Sequence, residues 1–292
     1  MKKIRNVITA LFLVSLALLI SFPIWFALTG GFTAQWELEQ NLAPVLNDSV
    51  AAGSMATMKG SMAGWSLLPH APTLASLIEL LIDSPEFFVM FWNSLKIALA
   101  ILAGQLLFGV PAAWGLARYE FPGKGVISMI YLILMLMPFQ VLMLPEYLVL
   151  NRWKLLDSHL GVILPVIFST FPVFIMQRFF HSVPEAILEA ARIDGAGDFQ
   201  SFFRIGLPLG MPGIMSVILL GFLEAWNMIE QPMTFLKTKS LWPLSLLLPE
   251  IRLSDVGLGF AAALMMLVPA LLLFLCGQEY LEQGIAAAAV KE

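Results

Sequence analysis

Few side chains in this sequence are placed to do chemistry, and their spacing limits what that chemistry can be. Cys276 stands alone, and the three histidines, His70, His159 and His181, have no partners at metal-ligand spacing, so neither a disulfide nor a zinc-type site is written here. Gly123-Lys124-Gly125 is the nearest approach to a phosphate-cradling Gly-x-x-x-x-Gly-Lys-Ser/Thr loop, but it lacks the upstream glycine and the hydroxyl residue. The chain is not expected to hydrolyse ATP itself. What remains is one constellation: Glu189-Ala190-Ala191, then Gly195 after three residues, then Ile205-Gly206-Leu207-Pro208 after nine more. A carboxylate beside small residues suits docking, because small side chains let a second backbone approach closely. An amphipathic helix laid in a partner's groove is one reading of the pattern. A connector lying flat on a membrane surface is the other, and composition alone leaves both open.

The elements that would position this constellation can be read locally. His181-Ser182-Val183-Pro184-Glu185 reads as a helix start, with Ser182 and Glu185 as a capping box and Pro184 in the first turn. Ile187, Leu188 and Ala191 give the helix one apolar face, and Glu189 and Arg192 are spaced to pair weakly. Asp194-Gly195 is a stop signal, since glycine enters the left-handed region cheaply. Asp198 is expected to cap a second short helix carrying Phe199, Phe202 and Phe203, closed by Pro208. The product is a short helical hairpin, too polar to span a bilayer.

The rest of the chain is built for lipid. Of 292 residues, 59% are apolar and only 12% charged, with a mean hydropathy of +0.86. Soluble domains carry about 25% charged residues, so a cytosolic enzyme, a disordered tail and a nucleic-acid binder are excluded as readings. The net charge of −4 implies no charged partner. Six windows, 6–36, 97–117, 126–145, 160–177, 205–223 and 256–278, contain no Asp, Glu, Lys or Arg. Each approaches the ~20 residues that a helix needs to cross a bilayer, and only helices or closed barrels satisfy their backbone there. The windows are apolar all round, which selects helices and predicts an all-α polytopic membrane protein with six transmembrane helices. The first window follows Lys2, Lys3 and Arg5, as a signal peptide would, but its apolar run is too long for one and is expected to be retained. With both termini in the cytoplasm, nine basic residues fall in 54 inner residues and seven in 106 outer ones, as the positive-inside rule requires. The boundaries that follow are a first helix over 1–36, an outer loop over 37–90, a five-helix core over 90–277, an inner loop over 178–205 and a cytoplasmic tail over 278–292, all in one transmembrane domain.

The four-part constellation in the inner loop resembles the EAA signature of ABC importer permeases. Its flanks, Arg192-Ile193-Asp194-Gly195-Ala196 and Phe203-Arg204-Ile205, are similar to the carbohydrate-uptake branch with its maltose-type permease subunits. Asn93-Ser94-Leu95, Ala113-Trp114-Gly115-Leu116-Ala117-Arg118, Trp226-Asn227, Pro232 and the tail from Gly284 to Lys291 fit the same branch. Ala186, Leu188, Ala288 and Glu292 depart from its usual pattern. The resemblance implies a type I ABC importer permease architecture with a cytoplasmic coupling-helix hairpin in a bacterial or archaeal plasma membrane. It also implies a second permease subunit, a cytoplasmic ATPase dimer that uses ATP and Mg, and an external solute-binding protein, with no cofactor bound by this chain. By the same resemblance Glu189, Ala190, Ala191, Arg192, Asp194, Gly195, Ile205, Leu207 and Pro208 form the ATPase-coupling site. In it Glu189 anchors the docked helix, Ala190 and Ala191 permit close approach, Gly195 supplies the turn that sets the angle between the two short helices, and Ile205, Leu207 and Pro208 fix the hairpin to the fifth span.

Polar residues near the spans are candidates to line a solute pathway: Gln105 and Gln140 mid-window, Asn93 and Asn227 nearer the ends. Lys96 and Glu224 are expected to snorkel to the outer interface. Trp25, Trp92, Trp114 and Trp226 are expected at the interfaces as an aromatic belt. Two alternatives stand beside a sugar importer. A permease for an amino acid or polyamine would share the core motif, whereas a stand-alone secondary transporter would need carboxylates deep in the spans, where the windows have none.

Overall fold

A computed structural model describes the backbone of residues 2–42, 64, 68–247 and 255–289, and the side chains of all but 2–5 and 281–289 among these. The parts of the expected outer loop over 43–63 and 65–67, the charges of Lys59, Arg252 and Lys291, and the tail side chains lie outside the described residues. Nine helices carry the argument: α1 Lys2–Gly31, α2 Pro85–Arg118, α3 Lys124–Leu136, α4 Phe139–Arg152, α5 His159–Ser182, α6 Glu185–Ile193, α7 Asp198–Trp226, α8 Glu230–Phe235 and α9 Val256–Ala289. Among the described residues there is no strand, only an isolated bridge between Thr33 and Pro72.

Five of these helices, α1, α2, α5, α7 and α9, are long and apolar enough to cross a membrane. The predicted span over 126–145 is instead the pair α3 and α4, which bends by 104° at a short break and makes a sixth span only if the pair counts as one. Pro138 is the cause. Its ring disfavours helical backbone at Met137, which adopts ψ 126°, and Pro138 itself is extended at ψ 145°. The second span is longer than its charge-free window, because α2 starts at Pro85 and carries Asn93 and Lys96 within the helix.

The chain forms two compact units. One comprises residues 1–88 and 247–268. In it α1 exposes most of its apolar length, while its last turns close against the start of α9 through an edge-on contact between Phe26 and Phe260 with ring centroids 5.1 Å apart. Gln35 Oε1 accepts from the Gly257 amide at 2.9 Å, and the buried Glu37 carboxylate accepts from the amides of His70 and Ala71 at 3.1 and 3.0 Å.

The other unit comprises residues 89–246 and 269–292, and its core lies where α2, α5 and α7 meet. Trp114 is central. It meets Phe180 edge-on at 5.4 Å and Phe202 at 5.6 Å, and a Cβ on Gly206 would sit 2.6 Å from its ring. Trp114 and Trp226 are 6% and 1% exposed, so both leave the expected aromatic belt; Trp25 and Trp92 remain exposed. Their rings fill the junctions between helices, and apolar contact there outweighs placing them at an interface.

In this unit a strap over 235–246 is held by side chains from elsewhere. Asn93 donates to the carbonyls of Ser240 and Trp242, His159 Nε2 lies 3.0 Å from the Leu241 carbonyl, and Ser94 Oγ accepts from the Leu244 amide. Asp157, in the left-handed region at φ +57°, accepts from the Lys237 and Thr238 amides at 2.8 Å each and from the Thr238 hydroxyl at 2.6 Å. The Thr238 hydroxyl first, then the two amides, hold this carboxyl below its ordinary 3.8.

Two expectations follow. Because the Asp157 pKa is lowered on folding, the clamp is complete at neutral pH and fades only as pH falls below 3.8. Asp157→Asn keeps a residue that tolerates the left-handed backbone but removes the charge. It should speed hydrogen exchange at the Lys237 and Thr238 amides at neutral pH and abolish the acid-dependent loosening of the native chain. At the core, Gly206→Ala forces the Trp114 ring to move, a cost of about 1–3 kcal/mol that should lower the thermal midpoint in detergent. Adding Trp114→Leu should cost less than the sum of the two single changes, since both act on one contact.

Candidate functional site

The predicted hairpin is present as α6 and the first turns of α7, with two differences from the local reading. Ser182 does not cap α6; it ends α5, and its hydroxyl donates to the Phe179 carbonyl at 2.7 Å. The N-cap of α6 is Pro184, with no side-chain cap. The capping box fails because Glu185 has a better partner than the Ser182 amide. Its Oε2 lies 3.1 Å from Arg118 Nη1, and its Oε1 lies 3.6 Å from Arg192 Nη1. The expected pairing of Glu189 with Arg192 is therefore replaced by Glu185 with Arg192.

The far end of α6 closes through two hydrogen bonds. The Ala196 amide donates to the Ala191 carbonyl at 2.9 Å and the Gly195 amide to the Arg192 carbonyl at 3.0 Å, with Gly195 at φ +82°. This is the Schellman arrangement, and an L-residue at Gly195 would pay about 1–2 kcal/mol for that backbone. No atom beyond the chain neighbours lies within 4 Å of a Cβ built there, so the requirement is conformational rather than steric.

The second arm is not a separate helix. Asp198 is the first residue of α7 rather than its cap, which is Gly197, and Pro208 does not close it. Helix α7 runs unbroken from Asp198 to Trp226 through a π turn at Phe202–Gly206, and Pro208 sits just after that turn. Proline is tolerated because the wider π turn has already displaced the hydrogen bond it would break.

The hairpin residues divide into a packed base and an exposed tip. Leu188 is 3% exposed and belongs to the Trp114 core; Phe202, Ile205 and Leu207 pack against the same cluster. Glu189, Ala190, Arg192, Asp194, Gly195 and Pro208 are exposed, and Ala191 is half-buried. Ile193 and Phe199 are 86% and 82% exposed, and Phe203 and Ile187 are exposed with them. Glu189 has no ion pair among the described residues. The structure thus sets a free carboxylate and a row of uncovered apolar side chains on a base that cannot easily move.

Arg118 is the residue the sequence reading passed over. It ends α2 with its side chain only 10% exposed, its guanidinium 5.7 Å from the Trp114 ring centre, and its Nη2 donating to the Val183 carbonyl. Only its place in the Ala113–Arg118 motif signalled it, because its partners lie more than 60 residues away.

The four pathway candidates do not converge. Gln105 is buried and donates to the Val166 carbonyl at 3.1 Å; Asn93 serves the strap; Gln140 donates to Glu230 at 2.8 Å; Asn227 donates to the Leu223 carbonyl of its own helix. Lys96 and Glu224 are exposed. A cavity of about 400 Å³ opens instead between α4 and α5, lined by apolar residues such as Trp153, Pro165 and Phe168, with Glu146 at its wall. No charge-free window pointed to it.

Comparison with known proteins agrees with this geometry. The model of the binding-protein-dependent transport system inner membrane component family matches residues 105–287. The chain is 31% identical, over 76% of its length and 81% of the relative's, to the arabinooligosaccharides transport system permease protein AraQ of Halalkalibacterium halodurans. It is 33% identical, over 63% of each chain, to the diacetylchitobiose uptake system permease protein NgcG of Streptomyces coelicolor. A chain in the crystal structure of a bacterial ABC transporter involved in import of the acidic polysaccharide alginate shares the fold at a TM-score of 0.77, covering 95% of this chain and 96% of that one at 22% identity. The expected resemblance holds: this is a multi-pass membrane protein and a transporter subunit, and the chain belongs to the family of binding-protein-dependent transport system inner membrane components.

Proposed function

We propose that this chain is one of two permease subunits of an ATP-driven ABC importer, and that α6 docks into a cleft of a cytoplasmic ATPase subunit. The observation that carries this reading is the divided hairpin, with Leu188, Ile205 and Leu207 packed inward and Glu189, Ile193 and Phe199 left uncovered. Uncovered aliphatic and aromatic side chains on a rigid support favour a protein partner, since a flexible connector on lipid would need no close-packed base. In this reading Glu189 meets a basic group of the ATPase, Ala190 and Ala191 let the two backbones approach, and Gly195 sets the angle between α6 and α7. The partner binds ATP and Mg and supplies the energy; this chain converts its closure into movement of α5 and α7, between which α6 is strung.

The six-span topology, with α3 and α4 as one bent span, puts both termini and the hairpin in the cytoplasm and follows the excess of basic residues on that side. An external binding protein would then deliver solute at the opposite face, where the strap over 235–246 lies. The names of AraQ and NgcG support an oligosaccharide or sugar-like solute for this chain as well.

In a complex reconstituted with its ATPase and second permease, Glu189→Lys should leave insertion and assembly intact while reducing uptake and solute-stimulated ATP hydrolysis to background. Gly195→Leu should do the same by disturbing the φ +82° turn. Full uptake by both variants, measured with radiolabelled oligosaccharide, would remove the docking role.

A further inference from the structure

Besides the packing of Leu188 in the core, helix α6 is tied to the bundle at three places, and only two of them are covalent. One is the Val183-Pro184 link to α5, and another is the Gly195–Gly197 turn into α7. The third is Arg118. Its guanidinium reaches the carbonyl of Val183 at the junction and the carboxylate of Glu185 in the first turn of α6, so one side chain spans both sides of that junction. The same carboxylate holds Arg192 with its other oxygen, nearly two turns further along the helix. Arg118 thereby holds the first turn of α6, and Glu185 extends the contact to Arg192.

The position of Arg118 is itself fixed. It is the last residue of α2, four residues beyond Trp114, whose ring lies against Gly206 of α7 and the Phe180 ring of α5. Its side chain is 10% exposed and faces inward, which removes it from any surface that a docked partner could touch. The pair joins a nearly buried guanidinium at the end of α2 to a half-exposed carboxylate at the start of α6, so it links the two elements directly.

The geometry points to Arg118 as the positioning residue that makes α2 move with the docking helix, so that displacement of α6 reaches three spans at once instead of the two to which it is covalently joined. Without this link α2 would follow α6 only through the apolar packing of Leu188 in the Trp114 core, with no directional bond between them, and a partner's closure would be transmitted less completely. This inference rests on the ATPase-coupling reading above, since it needs a partner that moves α6.

The test is the number of solute molecules moved per ATP hydrolysed, in proteoliposomes holding the complete importer. A merely structural role would lower uptake and solute-stimulated hydrolysis together, in proportion to the complex lost, and leave this ratio unchanged. Arg118→Met should lower the ratio by about tenfold, the scale on which single residues alter coupling. Arg118→Lys, which keeps the charge but not the two-pronged reach, should fall between Arg118→Met and the wild type. Where Arg118→Met fails to assemble, Glu185→Gln breaks the same link from its exposed side and should lower the ratio similarly. A wild-type ratio in the assembled variants would overturn the inference. Absence of ATP-driven uptake in the unmodified complex would instead overturn the coupling reading on which it rests.

Discussion

Three helices and a turn converge on the face of one indole ring. Trp114 can occupy that point only because position 206 has no side chain, and its presence there sets the separation of α2 and α7. The edge-on contact with Phe180 sets the separation of α2 and α5 in the same way. Such aromatic pairs add roughly 0.5–1.5 kcal/mol beyond the apolar area they bury, but their geometric effect is larger. Close-packed interiors do not deform continuously, so elements locked around one ring shift as a body. Leu188 extends this body into the hairpin itself, and Arg118, stacked beside the same ring, extends it to the first turn of α6. Under the proposed docking this support matters: a carboxylate and bare hydrophobes on a packed base would transmit a partner's displacement, whereas the same residues on a loose loop would absorb it.

What the sequence made legible was whatever is decided within one turn or one window. Hydropathy located the five long apolar helices, because the backbone's need for internal partners in lipid leaves a run of ~20 apolar residues few other uses. The stop at Gly195 was legible for the same local reason, since φ +82° is a demand on one residue. Misreadings arose where a distant partner outbid a near one. Glu185 was expected to serve an amide three residues back, but a guanidinium from residue 118 offers a charge-assisted bond, roughly twice as strong as a neutral one. Trp114 and Trp226 were assigned to an interface from their positions in the windows, yet the space that receives them is made by residues far along the chain. The break at Pro138 belongs to a different class. Its cause is local and was present in the sequence, but a hydropathy window averages over it.

The polar residues within the spans show how little a polar side chain at membrane depth reveals by itself. Gln105 lies in a π turn and bonds to the Val166 carbonyl in the segment where α5 is interrupted by proline. The Val166 carbonyl also accepts from the Ser169 amide, so the Gln105 side chain adds a second donor there, beside the break in α5. Asn93 does the same for two carbonyls of the strap, which has too little regular structure to satisfy them internally. In both cases the side chain is engaged with backbone carbonyls of a neighbouring segment. The strap itself gains from them: four side chains, Asn93, Ser94, Asp157 and His159, fix a segment of irregular chain as firmly as a helix would.

Two of the π turns bear on the helices that meet at this ring. One, Gln105–Gly109, precedes Trp114 on α2, and the other, Phe202–Gly206, brings Gly206 against it on α7. A π turn inserts one residue into a helix and rotates everything beyond it by about 100° relative to an unbroken α-helix. On α7 that rotation lets a single helix carry two differently aimed faces. Ser201, Ile205 and Gly206 face the Trp114 core while Phe199 and Phe203 remain exposed, and beyond the turn Gly210, Ile214 and Val217 return to the bundle. An uninterrupted 3.6-residue repeat could not keep both faces in register over this length. The hairpin's second arm and the span it leads into are therefore one rigid rod with an offset, which is a better lever than the two short helices and a joint that the proline at 208 suggests.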